Sequence, residues 1–404
     1  MAEKATNSAS TESANRDIIA TASAENGSLT AFIRYFLSLG AIGFGGPIAL
    51  VGYMQRDLVE ERRWVSADDY KEGLALAQLA PGPLAAQLAM YLGWVRGRVL
   101  GATLVGIAFI APSFIMVLAL SALYVRFGGL PWMRGVFYGV GAAVIAIIAR
   151  SAFKLTRLTA KRDVLLWALV VANAAVTAWR QAEIVWVLLA SGMLVLAIRR
   201  APTTLAGVTL PALIPAWVTT GLHGVASLPL LATILWYFAK AGSVVFGSGL
   251  AVVPFLYGGV VQEHHWLTEQ QFLDAVAVAM ITPGPVVITV AFIGYLIAGP
   301  LGAVAAGIGV FVPVYGVVLI VAPHFKKLVG NPRLHAFVDG VTAAATGAVL
   351  GAVTVLGRRA LVDVVTLTLC AATLLVVLFV RRIPEPVVIL AAGIVGVITT
   401  SISQ

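Results

Sequence analysis

Residues 64–95 read WVSADDYKEGLALAQLAPGPLAAQLAMYLGWV, and residues 266–297 read WLTEQQFLDAVAVAMITPGPVVITVAFIGYLI. Ser66 with Asp69, and Thr268 with Gln271, have the spacing of a capping box, so each stretch carries a helix start. A helix beginning near Ala67 reaches Ala80 after about 14 residues, roughly 21 Å at about 1.5 Å each. There it meets Pro81-Gly82-Pro83, and its counterpart meets Pro283-Gly284-Pro285. Proline removes a backbone donor and clashes with the preceding turn, while glycine lets the chain bend. Both helices are predicted to break well inside a bilayer, with Pro83 suited to open a new half-helix. Interrupted backbone at that depth survives only where protein buries it or where it lines a wet cavity. The free amides at the start of a half-helix carry partial positive charge and suit an anion.

Composition extends this reading to the whole chain. Of 404 residues, 60% are hydrophobic and 11% charged, with 40 glycines and 18 prolines. A soluble domain carries about 25% charged residues, and charge this sparse cannot cover a water-soluble fold of such length. The composition excludes an ordinary cytosolic enzyme, a disordered protein and a small disulfide scaffold. Cys370 is the single cysteine, so an intramolecular disulfide and a thiolate metal cage are both ruled out. The five histidines are scattered apart from His264-His265, and neither metal nor cofactor is expected. The net charge of +9 sits in short loops between apolar runs. There it reads as a topology signal rather than a nucleic-acid surface. The expected fold class is therefore an all-α polytopic membrane protein.

Residues 1–29 are polar and lack an apolar run with a cleavage site, which predicts a disordered cytoplasmic tail. Apolar segments follow at 30–54, 67–95, 99–125, 132–151, 163–179 and 183–198. A second set lies at 232–258, 269–298, 301–322, 335–357, 361–380 and 384–402. Residues 201–230, apolar but interrupted by prolines, form a linker or a further short membrane segment. The total falls between ten and thirteen membrane segments. Shifting the chain by 202 lays Phe44-Gly45 on Phe246-Gly247, Trp64 on Trp266 and one PGP on the other, with 12 identities in the 40 positions 44–83. The chain thus reads as two homologous repeats, 30–200 and 231–404. Basic residues crowd the loop expected at 150–162 in the first half and Lys326, Lys327, Arg333, Arg381 and Arg382 in the second. The bias swaps loop parity between the halves, which predicts inverted repeats, a recurring device of secondary transporters. Arg358 and Arg359 run against that parity, as do Arg56, Arg62 and Arg63 in the loop expected after the first segment if the N-terminus is inside.

A second pair of interruptions lies at Phe44-Gly45-Gly46-Pro47 and Phe246-Gly247-Ser248-Gly249. Four breaks related in pairs define the candidate substrate site. Gln78 and Gln87 gather at the break in the first half, Thr282 and Thr289 in the second. Lys240, six residues before Phe246, can neutralise an oxyanion or snorkel to an interface. Glu72 and Asp274 occupy equivalent positions, each nine residues before its PGP, and are candidates for proton coupling or simply complement a helix dipole. Asp339 is a weaker candidate of the same kind. Arg34, Trp64 and Trp266 read as interfacial anchors.

FGGP, then ERRW, then Gln78 before PGP, repeated as FGSG, HHW and PGP, resembles the chromate ion transporter (CHR) superfamily in its long two-domain form. The likeness covers nearly all of residues 30–404. It implies a multi-pass protein of the bacterial inner membrane that exports chromate, a divalent oxyanion and sulfate mimic, on the proton-motive force. Ser38 stands where the family's first half often has lysine, and Lys240 keeps the second-half counterpart. Gly46 is matched by Ser248 and Gln78 by Met280, so the two half-sites are chemically unequal. A carrier whose main substrate is sulfate or a related oxyanion, and a passive anion channel, are the alternatives. No HExxH occurs and no Ser–His pair falls inside a span, so an enzyme is not expected. The expected partners are the oxyanion, protons and the lipid bilayer, with no nucleic acid; a homodimer is compatible with the chain.

Overall fold

The computed structural model describes residues 28–44, 46–127, 130–161, 163–180, 185–198, 226–244, 252–324, 332–380 and 383–402. The expected N-terminal tail and most of the 201–230 connection lie outside the described residues, as do Lys326, Lys327, Arg381 and Arg382. The described part is all α-helical. The first half holds α1 (Leu29–Ile42), α2 (Gly46–Met54), α3 (Ala67–Leu79), α4 (Leu84–Phe127), α5 (Pro131–Ala160), α6 (Val164–Arg180) and α7 (Val185–Ile198). The second holds α8 (Leu228–Val244), α9 (Val252–Leu256), α10 (Glu269–Ile281), α11 (Thr289–Val321), α12 (Pro332–Ala360), α13 (Val364–Phe379) and α14 (Glu385–Ile402).

Local chemistry accounts for the boundaries. Ser66 Oγ accepts the Asp69 N–H at 3.0 Å at the start of α3, and Thr268 and Gln271 close a full capping box on α10. Helix α4 doubles back at Gly97 and Arg98, where φ is −148° and 51°. Gly93 and Gly101 then meet so closely that a Cβ on Gly93 would lie 2.5 Å from the Gly101 carbonyl. Helix α11 repeats the reversal at Ala298 and Gly299, with Gly294 against Gly302. Helices α2 and α9 each run on as seven π-helical residues, Gln55–Glu61 and Tyr257–Glu263. Positive φ at Arg63 and His265 follows in both halves. These matched features recur at the 201–202 spacing of the sequence repeat.

Several boundaries differ from those expected. The basic stretch 150–162 is not a loop, since α5 continues to Ala160. It contains no proline or glycine to stop the helix, and Arg150, Lys154, Arg157 and Lys161 fall at helical spacing. Arg56 lies on the π-helical extension of α2 rather than in a loop, and Arg358 and Arg359 occupy the last turn of α12. Pro83 precedes α4 instead of opening it: its carbonyl accepts the Gln87 N–H at 3.0 Å. In the second half a short 3-10 turn, Val286–Ile288, stands between the PGP and α11.

Among the described residues four helices are long and apolar enough to cross a membrane, α4, α5, α11 with its leading turn, and α12. Helices α1, α6, α7, α13 and α14 are shorter and apolar. Large apolar side chains face outward, among them Trp179 at 83% exposure and Phe379 at 78%. Such a surface suits lipid rather than water. Helix α1 packs on α4 as α8 packs on α11. Helix α5 packs on α13 and α14 of the second half, while α12 packs on α6 and α7 of the first. Small residues permit the contact: a Cβ on Gly139 would lie 2.0 Å from the Ala392 carbonyl, and one on Gly347 2.3 Å from that of Val170.

Candidate functional site

Three of the four chain interruptions, FGGP apart from Gly45 and the two PGP stretches, fall among the described residues and come together. Helix α3 ends at Leu79, Gly82 adopts φ +138°, and α4 begins at Leu84. In the second half α10 ends at Ile281 and Gly284 adopts φ +96°. The Gly284 N–H donates to the Gly43 carbonyl at 2.9 Å, so the second PGP is bonded to the FGGP interruption of the first half. Gly46, with φ +72°, has open space where a Cβ would stand.

A cavity of about 650 Å³ opens beside this junction. At about 30 Å³ per water it has room for roughly 20 waters, which makes it a wet vestibule rather than a dry slot. Of the candidate residues, Phe44, Gly46, Pro47, Gln78, Thr282 and Gly284 line it. Pro81, Gly82, Pro83, Gln87, Pro283, Pro285 and Thr289 shape the interruptions without lining the cavity. Gly45, Phe246, Gly247, Ser248 and Gly249 lie outside the described residues.

Hydrogen bonding narrows what each group can offer. Gln87 is fully buried and its Nε2 donates to the Pro81 carbonyl at 2.6 Å, bracing the first PGP from behind. Its carbonyl oxygen has no partner among the described residues, so what remains free is an acceptor, the wrong polarity for an anion. The hydroxyls of Thr282 and Thr289 donate to the Val278 and Val286 carbonyls, each at 2.7 Å. Donors for an anion must come from elsewhere. By helix geometry the first-turn amides of α4, from Leu84 onward, lack intrahelical acceptors, and Leu84 lines the cavity.

Lys240 does not line the cavity. It is exposed, with its ammonium 5.9 Å from the centre of the Tyr237 ring. Among the described residues, the Lys and Arg side chains that line it are Arg150, Lys154 and Lys161, from α5 and its C-terminal end, together with His335 and Asp339 of α12 and Glu385 of α14. Sequence reasoning read these cations as topology signals. Their spacing of four and seven residues was the signal of a single helical face. Glu72 and Asp274 sit apart from the cavity, whereas Asp339, the weaker acidic candidate, lines it. Asp274 is 4% exposed and accepts Tyr124 Oη at 2.7 Å and Gln270 Nε2 at 2.9 Å. Glu72 is half-buried and accepts Tyr91 Oη at 3.2 Å. His264 stacks on Trp266 with ring centres 4.2 Å apart, and Arg62 lies over Trp64 at 4.8 Å.

The Chromate transporter family description matches the chain twice, over residues 30–196 and 232–397. The chain belongs to the chromate transporter family. The chromate transport protein of Cupriavidus metallidurans is 55% identical over 92% of this chain and 93% of its own length. The probable chromate transport protein of Synechococcus elongatus is 54% identical over 92% and 95%. The chromate transport protein of Pseudomonas aeruginosa is 36% identical over 89% and 90%. No solved structure matches the chain. As a chromate transporter family member, the protein is a multi-pass membrane transporter and not an enzyme.

Proposed function

We propose that this chromate transporter family member exports chromate across the bacterial inner membrane, driven by the proton-motive force, by alternating access between two inverted repeats. The repeats would comprise residues 30–200 and 231–404, with 1–29 a cytoplasmic tail. The observation that carries the reading is the Gly284–Gly43 hydrogen bond at the edge of a cavity shared by both halves. It ties a helix interruption of one half to that of the other beside a cavity where polar groups and cations meet. A dianion must lose water to cross a bilayer, and oriented amides with a few cations replace that water without binding too tightly for release. Phe44, Gly46, Pro47, Gln78, Thr282 and Gly284 form the wall in this reading, and the remaining PGP residues with Gln87 and Thr289 hold the breaks in shape. Asp274 and Glu72 are the proton-coupling candidates: a buried and a half-buried carboxylate, each accepting a tyrosine hydroxyl.

Chromate flux into inverted membrane vesicles, with and without an imposed pH gradient, tests this directly. An exporter accumulates chromate only with the gradient. Flux that follows the chromate gradient and ignores pH would make the protein a channel. Competition by excess sulfate that leaves chromate uptake intact would support chromate, and full competition would favour a general sulfate-like carrier.

A further inference from the structure

Arg150 sits on the cavity face of α5 and meets a single partner among the described residues. Its Nη1 lies 3.3 Å from Glu385 Oε1, and both side chains are partly open, at 31% and 26% exposure. A guanidinium offers five N–H donors in a planar fork that matches two oxygens of one anion. One long contact leaves most of that fork unused. Lys154, one turn further along the same face, lines the same cavity and makes no ion pair within 4.0 Å among the described residues. A tetrahedral dianion presents the complementary set: two oxygens for the fork and a third for an ammonium one turn away. Glu385 therefore holds the place of a substrate oxygen. It does so from the first residue of α14, a helix of the other half.

We infer that the Arg150–Glu385 pair is a latch displaced by substrate: the dianion takes Arg150 and Lys154, and Glu385 is released together with the start of α14. The inference rests on the transporter reading above and names the groups that recognise the anion within that cavity. Among the described residues, the other charged or titratable groups lining the cavity with Glu385 are Lys161 after α5 and His335 and Asp339 on α12. Helices α3 and α10 contribute uncharged Gln78 and Met280. Once Arg150 and Lys154 turn to the anion, Glu385 loses its guanidinium partner and meets the charge of the dianion, and a proton is the simplest replacement. Anion binding then carries a proton dependence that resides in Glu385.

The test is chromate uptake by the full-length protein in inverted vesicles, with KM and maximal rate measured across the neutral pH range. Arg150→Gln and Lys154→Gln should each raise KM about tenfold or more, the scale of one charge-assisted hydrogen bond. Glu385→Gln should lower KM about two- to fivefold, as loss of a partly exposed competing ion pair allows, and should flatten the pH dependence of KM. Arg150→Lys keeps the charge and guards against a folding artefact, as does monodisperse elution of each variant in detergent. The double variant Arg150→Gln/Glu385→Gln should stay as weak as Arg150→Gln; recovery of wild-type KM would mean a purely structural ion pair. Unchanged KM in Arg150→Gln, or a raised KM in Glu385→Gln, overturns the latch while the transporter reading stands on wild-type flux. A wild-type protein that moves neither chromate nor sulfate overturns both.

Discussion

Gly284 combines a strained backbone with a crowded site, which leaves little room for a side chain. Its φ of +96° disfavours any L side chain, and an added Cβ would lie 1.9 Å from Ser113 Oγ, itself bonded to the Gly40 carbonyl at 3.1 Å. Backbone strain and overpacking together put Gly284→Ala at about 2–4 kcal/mol of destabilisation. Chromate flux should be largely lost, and thermal unfolding in detergent should move down with it. Gly46 is the contrasting case, since its φ is +72° but the space around it is open. Gly46→Ala should cost only the strain, about 1–2 kcal/mol. Equal losses for the two alanines, measured by the same melting assay, would contradict the crowding described at Gly284.

The interrupted helices couple the two halves by more than proximity. Tyr124, on the second arm of α4, donates to Asp274 in the middle of α10, so a first-half helix holds the buried carboxylate of the second. If that carboxylate exchanges the coupled proton, Asp274→Asn should abolish the response of chromate uptake to an imposed pH gradient while downhill exchange persists. Tyr124→Phe should weaken the response without removing it. An Asn variant that responds like the wild type would remove Asp274 from coupling. A purely structural element contact lies at the start of α13, where Asp363 caps the helix and accepts the Thr366 N–H at 2.8 Å. Tyr138 Oη of α5 donates to its other oxygen at 2.5 Å. Asp363→Ala should cost about 1 kcal/mol and leave the chromate KM unchanged. The helix starts at Ser66 and Thr268 were legible because capping is a local interaction between residues three apart. The extent of α5 was not, because charge had been read as a loop marker although nothing in the stretch stops a helix.

The halves exchange their packing partners: α5 is covered by α13 and α14, and α12 by α6 and α7. Each half by itself would leave the glycine-lined faces of its long central helix bare, including Gly139 and Gly347. Residues 1–200 expressed without the rest should therefore be degraded or aggregate. Co-expression with residues 201–404 as a separate chain should restore a monodisperse complex. A stable, monodisperse first half would show that the exchange of partners is dispensable.

The repeat, the helical class, the capped starts and the two proline–glycine interruptions were all written in the sequence, because each depends on residue types within a turn or two of one another. Family membership followed from the same motifs. Which cations face the cavity was settled only in three dimensions. Lys240, by its place in the chain, could be an anion partner or snorkel to an interface; in the fold it is exposed near the Tyr237 ring and does not line the cavity. Arg150 and Lys154, remote in sequence from every interruption, reach the cavity because α5 runs past the junction of both halves. Helix–helix packing depends on close approach between surfaces far apart in the chain, and no local pattern of charge or hydropathy specifies which faces will meet.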